Sequence, residues 1–470
     1  MKFINDGWYG IISDDFNFKD VKIMAKAITK YLVSHELNKK PVIIGYDTRF
    51  LSYRYAQIIS EVLLGAGIKC YISERDSPTI FTSATLKNLK AGCGIQVTGK
   101  ELPYFYNGIF FLPEYGGPPF SHISMEIERN IRLIRELEED INTQDYERGI
   151  ALGLIEVNDL FSEYSKMVDK IVDFKKIKDM DLKIVVDYIN GSMRGYLRKI
   201  FPKNIDLIEL NTDYNPYFSG RKTDPYEDDL EFLCENVKNT EADLGVAFDT
   251  DGGNIVFINR NGEVINRDII AGIVLDFILK TKNKNGVVVK TMATTGIIDL
   301  VCEKNAVEIN ETYIGFKHVV EKMLKNKVVF GCDDKGGISF SGHVPVKDSL
   351  VLLLLFIEVL AVNKKSLEQT LDEFEKEYGH IDKSRFTMPC ETEEEKLKII
   401  SKLKSYTDTF DIEEIKESYQ TDGLKIVFKD KTWFYARINQ NKPLLEIVIE
   451  SSVPKKVAEL ENKIRKYIEE

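Results

Sequence analysis

Between residues 20 and 36, Val21, Met24, Ala27, Ile28, Tyr31 and Leu32 recur at the spacing of one helical face. The pattern then changes. PVIIGYD (41 to 47) is a short apolar run that reads as a buried strand, residues 51 to 66 return to helical periodicity, and IKCYI (68 to 72) is a second strand. Alternating strands and helices predict an α/β layer with parallel strands. The rhythm restarts after the acidic stretch around 138 to 148, with LKIVVDYINGS (182 to 192) and ADLGVAF (242 to 248). It restarts again after NRNGEVINRD (259 to 268), a hairpin and linker by its residues, with GVVVKT (286 to 291) and KVVFGCDD (327 to 334). The end of the chain differs. GLKIVF (423 to 428), TWFYARI (432 to 438) and LLEIVIES (444 to 451) are strands at hairpin spacing, KDK (429 to 431) is a turn, and a last helix carries Val457, Leu460, Ile464 and Tyr467 on one face. Four domains are expected: α/β domains over 1–150, 151–258 and 259–375, and an α+β domain over 376–470. A single linker near 375 to 385 would leave the last domain the most mobile.

The 470 residues exceed what one core organises, which agrees with several domains. A formal net charge of −11, with no basic cluster, excludes nucleic acid as the main partner. Six scattered cysteines without metal-ligand spacing read as free thiols of a reducing compartment. The opening MKFINDGWYG is no secretory signal, and the longest apolar run, Leu350 to Ile357, is too short to span a bilayer. A cytoplasmic protein with no membrane partner is expected.

In open α/β sheets ligands bind beyond the carboxyl ends of the strands, so four loops carry the candidate chemistry. GIQVTGKELPYFYNGIF (94 to 110) turns at Gly99 and Lys100 and holds no Ser, Cys or His. FDTDGGN (248 to 254) offers Asp249 and Asp251, which suit a hard cation such as Mg²⁺ and equally a solvated turn. GCDDKGG (331 to 337) offers Asp333 and Asp334 to sugar hydroxyls, or is a polar turn. ARINQNKP (436 to 443) brings Arg437, Asn439, Gln440, Asn441 and Lys442 together, which are donors for a phosphate and also ordinary turn residues.

In this order the loops resemble the α-D-phosphohexomutase superfamily, the phosphoglucomutases and phosphomannomutases. KFINDGWYGIISDDF, GYDTR, YNGI, NPYFSGR, DLGVAFD, ETYIGFKHVVEKM and GGISFSGHVPVKD all read as family segments, so the resemblance covers nearly the whole chain. It implies mixed-sheet α/β domains around a central cleft. It also implies transfer of phosphate between the 1- and 6-positions of a hexose phosphate, using a phosphoserine and a Mg²⁺ held by three aspartates.

All four loops depart from the family pattern. Lys100 stands at the phosphoserine position between retained Thr98 and Pro103, and Glu101 replaces the usual His. Gly253 and Asn254 replace the third aspartate and the arginine of the metal loop. Asp333, Asp334 and Lys335 replace two glutamates and a serine of the sugar loop. Asn439 to Lys442 replace the residues between Arg437 and Pro443, and Tyr9 replaces an arginine near the start.

A protonated amine has no lone pair with which to carry phosphate, so ordinary mutase turnover is not expected. The favoured expectation is a mutase fold retained to bind a sugar phosphate or a protein partner, with no cofactor unless the metal loop still takes Mg²⁺. The alternatives are an enzyme acting on a phosphorylated or nucleotide sugar without phosphoserine, and residual mutase activity. Arg49, Lys317, His343 and Arg437 match family positions around the cleft, although Lys317 reads equally as a helix-surface charge and His343 as a turn residue. Lys100 is expected to reach between Asp249 and Asp251 in place of the metal.

Overall fold

The computed structural model describes residues 2–4, 6–225, 230–282, 286–390, 392–406, 415–420, 423–439 and 444–469. The first helix, Phe18–Ser34, starts where the Asn17 side chain accepts from the Lys19 and Asp20 amides, and it buries the predicted face. It covers a seven-stranded sheet built from β1 (Lys2–Ile4), β2 (Gly7–Ile11), β3 (Val42–Tyr46), β4 (Cys70–Ser73), β5 (Cys93–Val97), β6 (Tyr106–Pro113) and β7 (Ile155–Asn158). Their order is β1-β2-β6-β5-β3-β4-β7, with β3, β4, β5 and β7 parallel and β6, β2 and β1 antiparallel.

The second sheet holds β8 (Leu182–Asp187), β9 (Ile205–Leu210), β10 (Leu244–Phe248), β11 (Ile255–Asn259) and β12 (Val264–Ile265), ordered β12-β11-β10-β8-β9. The third holds β13 (Val287–Thr291), β14 (Ile309–Thr312), β15 (Val328–Cys332) and β16 (Ile338–Phe340), ordered β14-β13-β15-β16. Both mix parallel and antiparallel neighbours. The fourth sheet is antiparallel and runs β17-β21-β20-β19-β18, from β17 (Asp382–Pro389), β18 (Ile415–Tyr419), β19 (Leu424–Phe428), β20 (Trp433–Ile438) and β21 (Leu444–Ser451). The architecture is therefore the expected one, three mixed α/β domains and an α+β domain.

Two strands cross the boundaries read from the sequence. β7 lies past residue 150 but pairs with β4, and β12 lies past 258 but closes the second sheet. Both are short, and β7 buries only Ile155 fully, so neither shows the apolar run by which a strand is recognised.

The first and second domains each keep a core of their own, around Ile44 and Ile95 and around Val185 and Val256, and the first three domains share a further one. One apolar cluster runs from Ile43 and Phe81 through Ile184, Leu244 and Val274 to Leu350–Phe356 and Phe374. The longest apolar run of the chain is the helix Ser349–Asn363, buried from Ser349 through Leu360 and apolar all round, as a helix packed on every side must be. The fourth domain has its own core, which includes Ile426, Phe434, Ile447 and Leu460. It is not held by the 375–385 linker alone. Met292 and Ala293 of the third domain pack with Trp433, Tyr435 and Val448, and Lys425 pairs with Glu311 at 2.5 Å. Among the described residues no helix is long and apolar enough to cross a membrane.

Candidate functional site in the interdomain cleft

The loop after β5 is shaped from beneath by Arg49. Its Nη1 donates to the Pro103 and Tyr106 carbonyls at 2.6 and 3.1 Å, its Nη2 to those of Lys100 and Leu102 at 2.7 and 2.6 Å, and its Nε to Asp47 at 3.1 Å. Gly99 permits this approach, because a Cβ there would stand 2.5 Å from the guanidinium carbon. Arg49 is fully buried, with all its side-chain donors spent on protein. It forms the loop and has no side-chain donor left over for a ligand.

Lys100 tops this turn in the left-handed region, at φ 48°. Its ammonium does not lie between Asp249 and Asp251. It pairs with Asp6 at 2.7 Å and sits 3.4 Å from the centroid of the Phe110 ring, a cation–π contact. Tyr9 also donates to Asp6, at 3.3 Å, and burial with the nearby Asp6 and Asp251 charges pushes its phenol well above the ordinary value.

The aspartates of the next loop are satisfied without a cation. Asp249 turns inward and accepts from the amides of Asp251, Gly253 and Asn254 at 3.2, 2.8 and 3.0 Å. Asp251 reaches into the first domain and takes the Thr79 amide at 3.1 Å and the Thr79 hydroxyl at 2.5 Å. Thr79 opens the helix Thr79–Asn88, whose N-terminal dipole favours an anion. Burial raises both carboxyls, Asp251 to about 7 and Asp249 well above its ordinary value with Asp251 adding to the shift.

This donor set does not fit Mg²⁺, which demands oxygen ligands in near-octahedral array. One carboxylate is spent on its own loop, the other on a helix end, and Gly253 brings no third. No group of three or more His, Cys, Asp or Glu among the described residues could hold a metal.

The third-domain loop is likewise engaged. Asp333 accepts from the Lys335 and Gly337 amides and pairs with Lys347 at 2.9 Å. Asp334 pairs with Arg385 of β17 at 2.5 Å, and although burial opposes it, Arg385 holds this carboxyl well below the usual range. Neither aspartate is turned outward as a free acceptor for sugar hydroxyls.

Lys335 leaves its own loop to meet Glu101 at 3.2 Å, and the other oxygen of Glu101 accepts from Asn254 at 2.8 Å. Against burial, Lys335 and Lys347 hold the Glu101 carboxyl far below its ordinary value. Glu101, Asn254 and Lys335 are three positions at which the sequence departs from the family pattern, and they are bonded to one another across three domains. Each departure was visible. Their partnership had one signal, an acid and a base replacing a His and a Ser on loops that the fold turns toward each other.

His343 lies elsewhere. Its side chain is fully buried, with Nε2 2.6 Å from Asp348, the residue that caps the helix Ser349–Asn363 and also accepts from Tyr164. It is a structural buttress at the start of that helix. Lys317 stands in the first turn of the helix Phe316–Lys325, partly exposed. Arg437 projects from β20 and pairs with Glu446 at 3.0 Å, near enough to Asp334 to help depress it. Gln440, Asn441, Lys442 and Pro443 lie outside the described residues.

The chain matches three family profiles, phosphoglucomutase/phosphomannomutase alpha/beta/alpha domains I, II and III, over residues 1–138, 162–262 and 266–378. It is 27% identical to a phosphoglucomutase/phosphomannomutase of Thermococcus kodakarensis, over 93% of this chain and 90% of the relative. With a phosphoglucosamine/phosphogalactosamine mutase of Sulfurisphaera tokodaii it shares 25% identity over 99% of both chains. Among solved structures, the open form of pp63/parafusin from Paramecium, a phosphoglucomutase, superposes with a TM-score of 0.86 at 19% identity, covering 99% of this chain and 94% of that one. Aspergillus fumigatus N-acetylphosphoglucosamine mutase in complex with GlcNAc-6P and magnesium gives 0.56 at 14% identity, over 87% and 92% of the two chains.

Proposed function

Since this chain belongs to the α-D-phosphohexomutase superfamily, we propose that it binds a hexose phosphate in its central cleft and that the phosphoserine route of phosphate transfer is closed in it. One observation carries the second half of this reading. At the position where a relative would hold phosphate, the Lys100 ammonium is ion-paired with Asp6 at 2.7 Å and offers no lone pair. The misfit of the metal loop adds to it, because phosphoryl transfer needs cations that neutralise the moving group. The first half is supported by the family and by four cations, Lys335 and Lys347 of the third domain and Arg385 and Arg437 of the fourth.

A second reading, mutase activity, is favoured by the comparisons. The relatives matched over nearly their whole length carry mutase names. A coupled assay of glucose 1-phosphate to glucose 6-phosphate conversion, with Mg²⁺ and the 1,6-bisphosphate, separates the two. It is run beside thermal shifts with sugar phosphates. Stabilisation without turnover supports the first reading, and turnover above a catalyst-free blank replaces it with the second.

A further inference from the structure

Glu101 reaches from the first domain to two groups of other domains. Its carboxylate lies between the Lys335 ammonium and the Asn254 amide, at 3.2 and 2.8 Å, with the Lys347 charge nearby. We propose that this carboxylate is a built-in occupant of a pocket for the phosphate of a hydroxylated phosphomonoester, and that the ligand displaces it.

Three features point there. The first is charge. Lys347 has Asp333 and Arg385 has Asp334, whereas the carboxylate on Lys335 is that of Glu101, brought from another domain. A phosphate arriving at Lys335 replaces one anion with another and leaves the cleft balanced.

The second is a side-chain link open to solvent beside a firm backbone. The Glu101 and Lys335 side chains are 31% and 47% exposed, so water can reach both charges as they part. The loop itself is pinned. Thr223 donates to the Glu101 carbonyl at 2.8 Å, and the Lys100 carbonyl accepts from Thr250 at 3.1 Å and from Arg49 at 2.7 Å. The side chain can therefore rotate out while the loop stays in place.

The third is an unmet acceptor. Asn254 is 4% exposed, its Nδ2 is given to Glu101, and its Oδ1 is buried without a hydrogen-bond partner among the described residues. Buried polar atoms are rarely left so. A ligand with a hydroxyl beside its phosphate would supply the missing donor, while inorganic phosphate would fill only the cationic half.

The inference rests on the reading of the cleft as a phosphosugar site only for the identity of the ligand. Its test is titration calorimetry of the full chain and of Glu101→Gln with inorganic phosphate, glucose 6-phosphate and glucose. Glu101→Gln is expected to bind glucose 6-phosphate about tenfold tighter than the parent and phosphate by a smaller factor, with the gain abolished when Lys335→Met is added. No gain in Glu101→Gln, or an equal gain for uncharged glucose, overturns the inference. If the parent nevertheless binds glucose 6-phosphate, the proposed function stands without it. Should Glu101→Gln fail to fold, Lys335→Met and Lys335→Arg in the parent background decide. A loss of phosphate affinity with Met that is spared with Arg supports the pocket, and equal affinity in both overturns it.

Discussion

Lys100 shows how one substitution is absorbed by its neighbours. An ammonium at the head of a tight turn would be costly if buried alone, and here Asp6 and the face of Phe110 receive it. The pair is only three-quarters buried, so its contribution is modest. Lys100→Ser is expected to lower stability by about 1 kcal/mol in urea titration, the sum of a screened ion pair and a cation–π contact. It should bring no mutase turnover, because Gly253 still leaves the metal loop without its third carboxylate. Turnover in Lys100→Ser would show that the metal loop can still assemble. At this scale the sequence was informative about position and poor about direction. Lys100, Asp249, Asp251, Asp333 and Asp334 read as loop residues beyond strand ends, and the sequence did not disclose the protein groups that each of them meets in the structure. A side chain's partner depends on which of several nearby charges it can reach, and the Lys100 ammonium takes Asp6. Arg49 and His343 fall short as ligand groups for a related reason, since burial of a polar group is a tertiary fact.

The helix Ser349–Asn363 is the element on which the third domain depends, and residues 350 to 357 disclosed its apolar character but not its length of 15 residues. Its start could not be read either. The cap is Asp348, which accepts from the Val351 amide at 3.0 Å, from the Tyr164 hydroxyl at 2.9 Å and from His343 at 2.6 Å. An exposed N-cap contributes about 1 kcal/mol, but this one also anchors two buried side chains that would be left unsatisfied without it. Asp348→Ala should therefore cost about 3 kcal/mol, seen as a lower urea midpoint at unchanged slope. A loss no larger than an exposed cap gives would mean that Tyr164 and His343 find other partners. The two strands that the sequence boundaries cut off from their sheets, β7 and β12, share a property opposite to this helix. They are short and lie at sheet edges, so the alternation that marks a half-buried strand has no length in which to appear.

Across the whole molecule, the fourth domain meets the third through buried polar groups as well as apolar ones. Glu450 of β21 is 2% exposed and accepts from the Gly296 amide at 2.5 Å and from the Trp433 indole at 3.2 Å. Burial raises its pKa, Asp268 adds to the rise, and Lys383 opposes it. The folded protein thus holds this proton more tightly than the unfolded chain does. The stabilising contribution is fully present below the ordinary carboxyl value and is lost as pH climbs through the raised one. Glu450→Gln cannot ionise and keeps an acceptor for both donors, so it should gain on the parent between pH 5 and pH 8, by about 1 kcal/mol at the upper end. Thermal melts at the two pH values test this, and a difference in Tm that does not change with pH counts against it. Asp334, held low by Arg385, works with the opposite sign. Its contribution is present above the ordinary carboxyl value and disappears as acid protonates it, so the same interface is loosened from both ends of the scale.

The apolar cluster shared by the first three domains bears on what it would mean to divide this chain. The hairpin turn at Arg260–Gly262, between β11 and β12, is polar and lies largely in solvent, where a protease could nick it. Each piece would keep a core of its own, the one around Ile44 and Ile95 on one side and that of the fourth domain on the other, but both would lose part of the shared one, since Ile184, Leu244 and Phe257 on one side of the nick pack in the same cluster as Val274, Leu350 and Phe356 on the other. A nicked molecule should therefore run as one particle on a sizing column and come apart only in denaturant. Halves expressed separately should behave as complementing fragments, each insoluble alone and each the other's template when refolded together. Two independently soluble halves would show that what looks like one shared cluster is really two placed side by side.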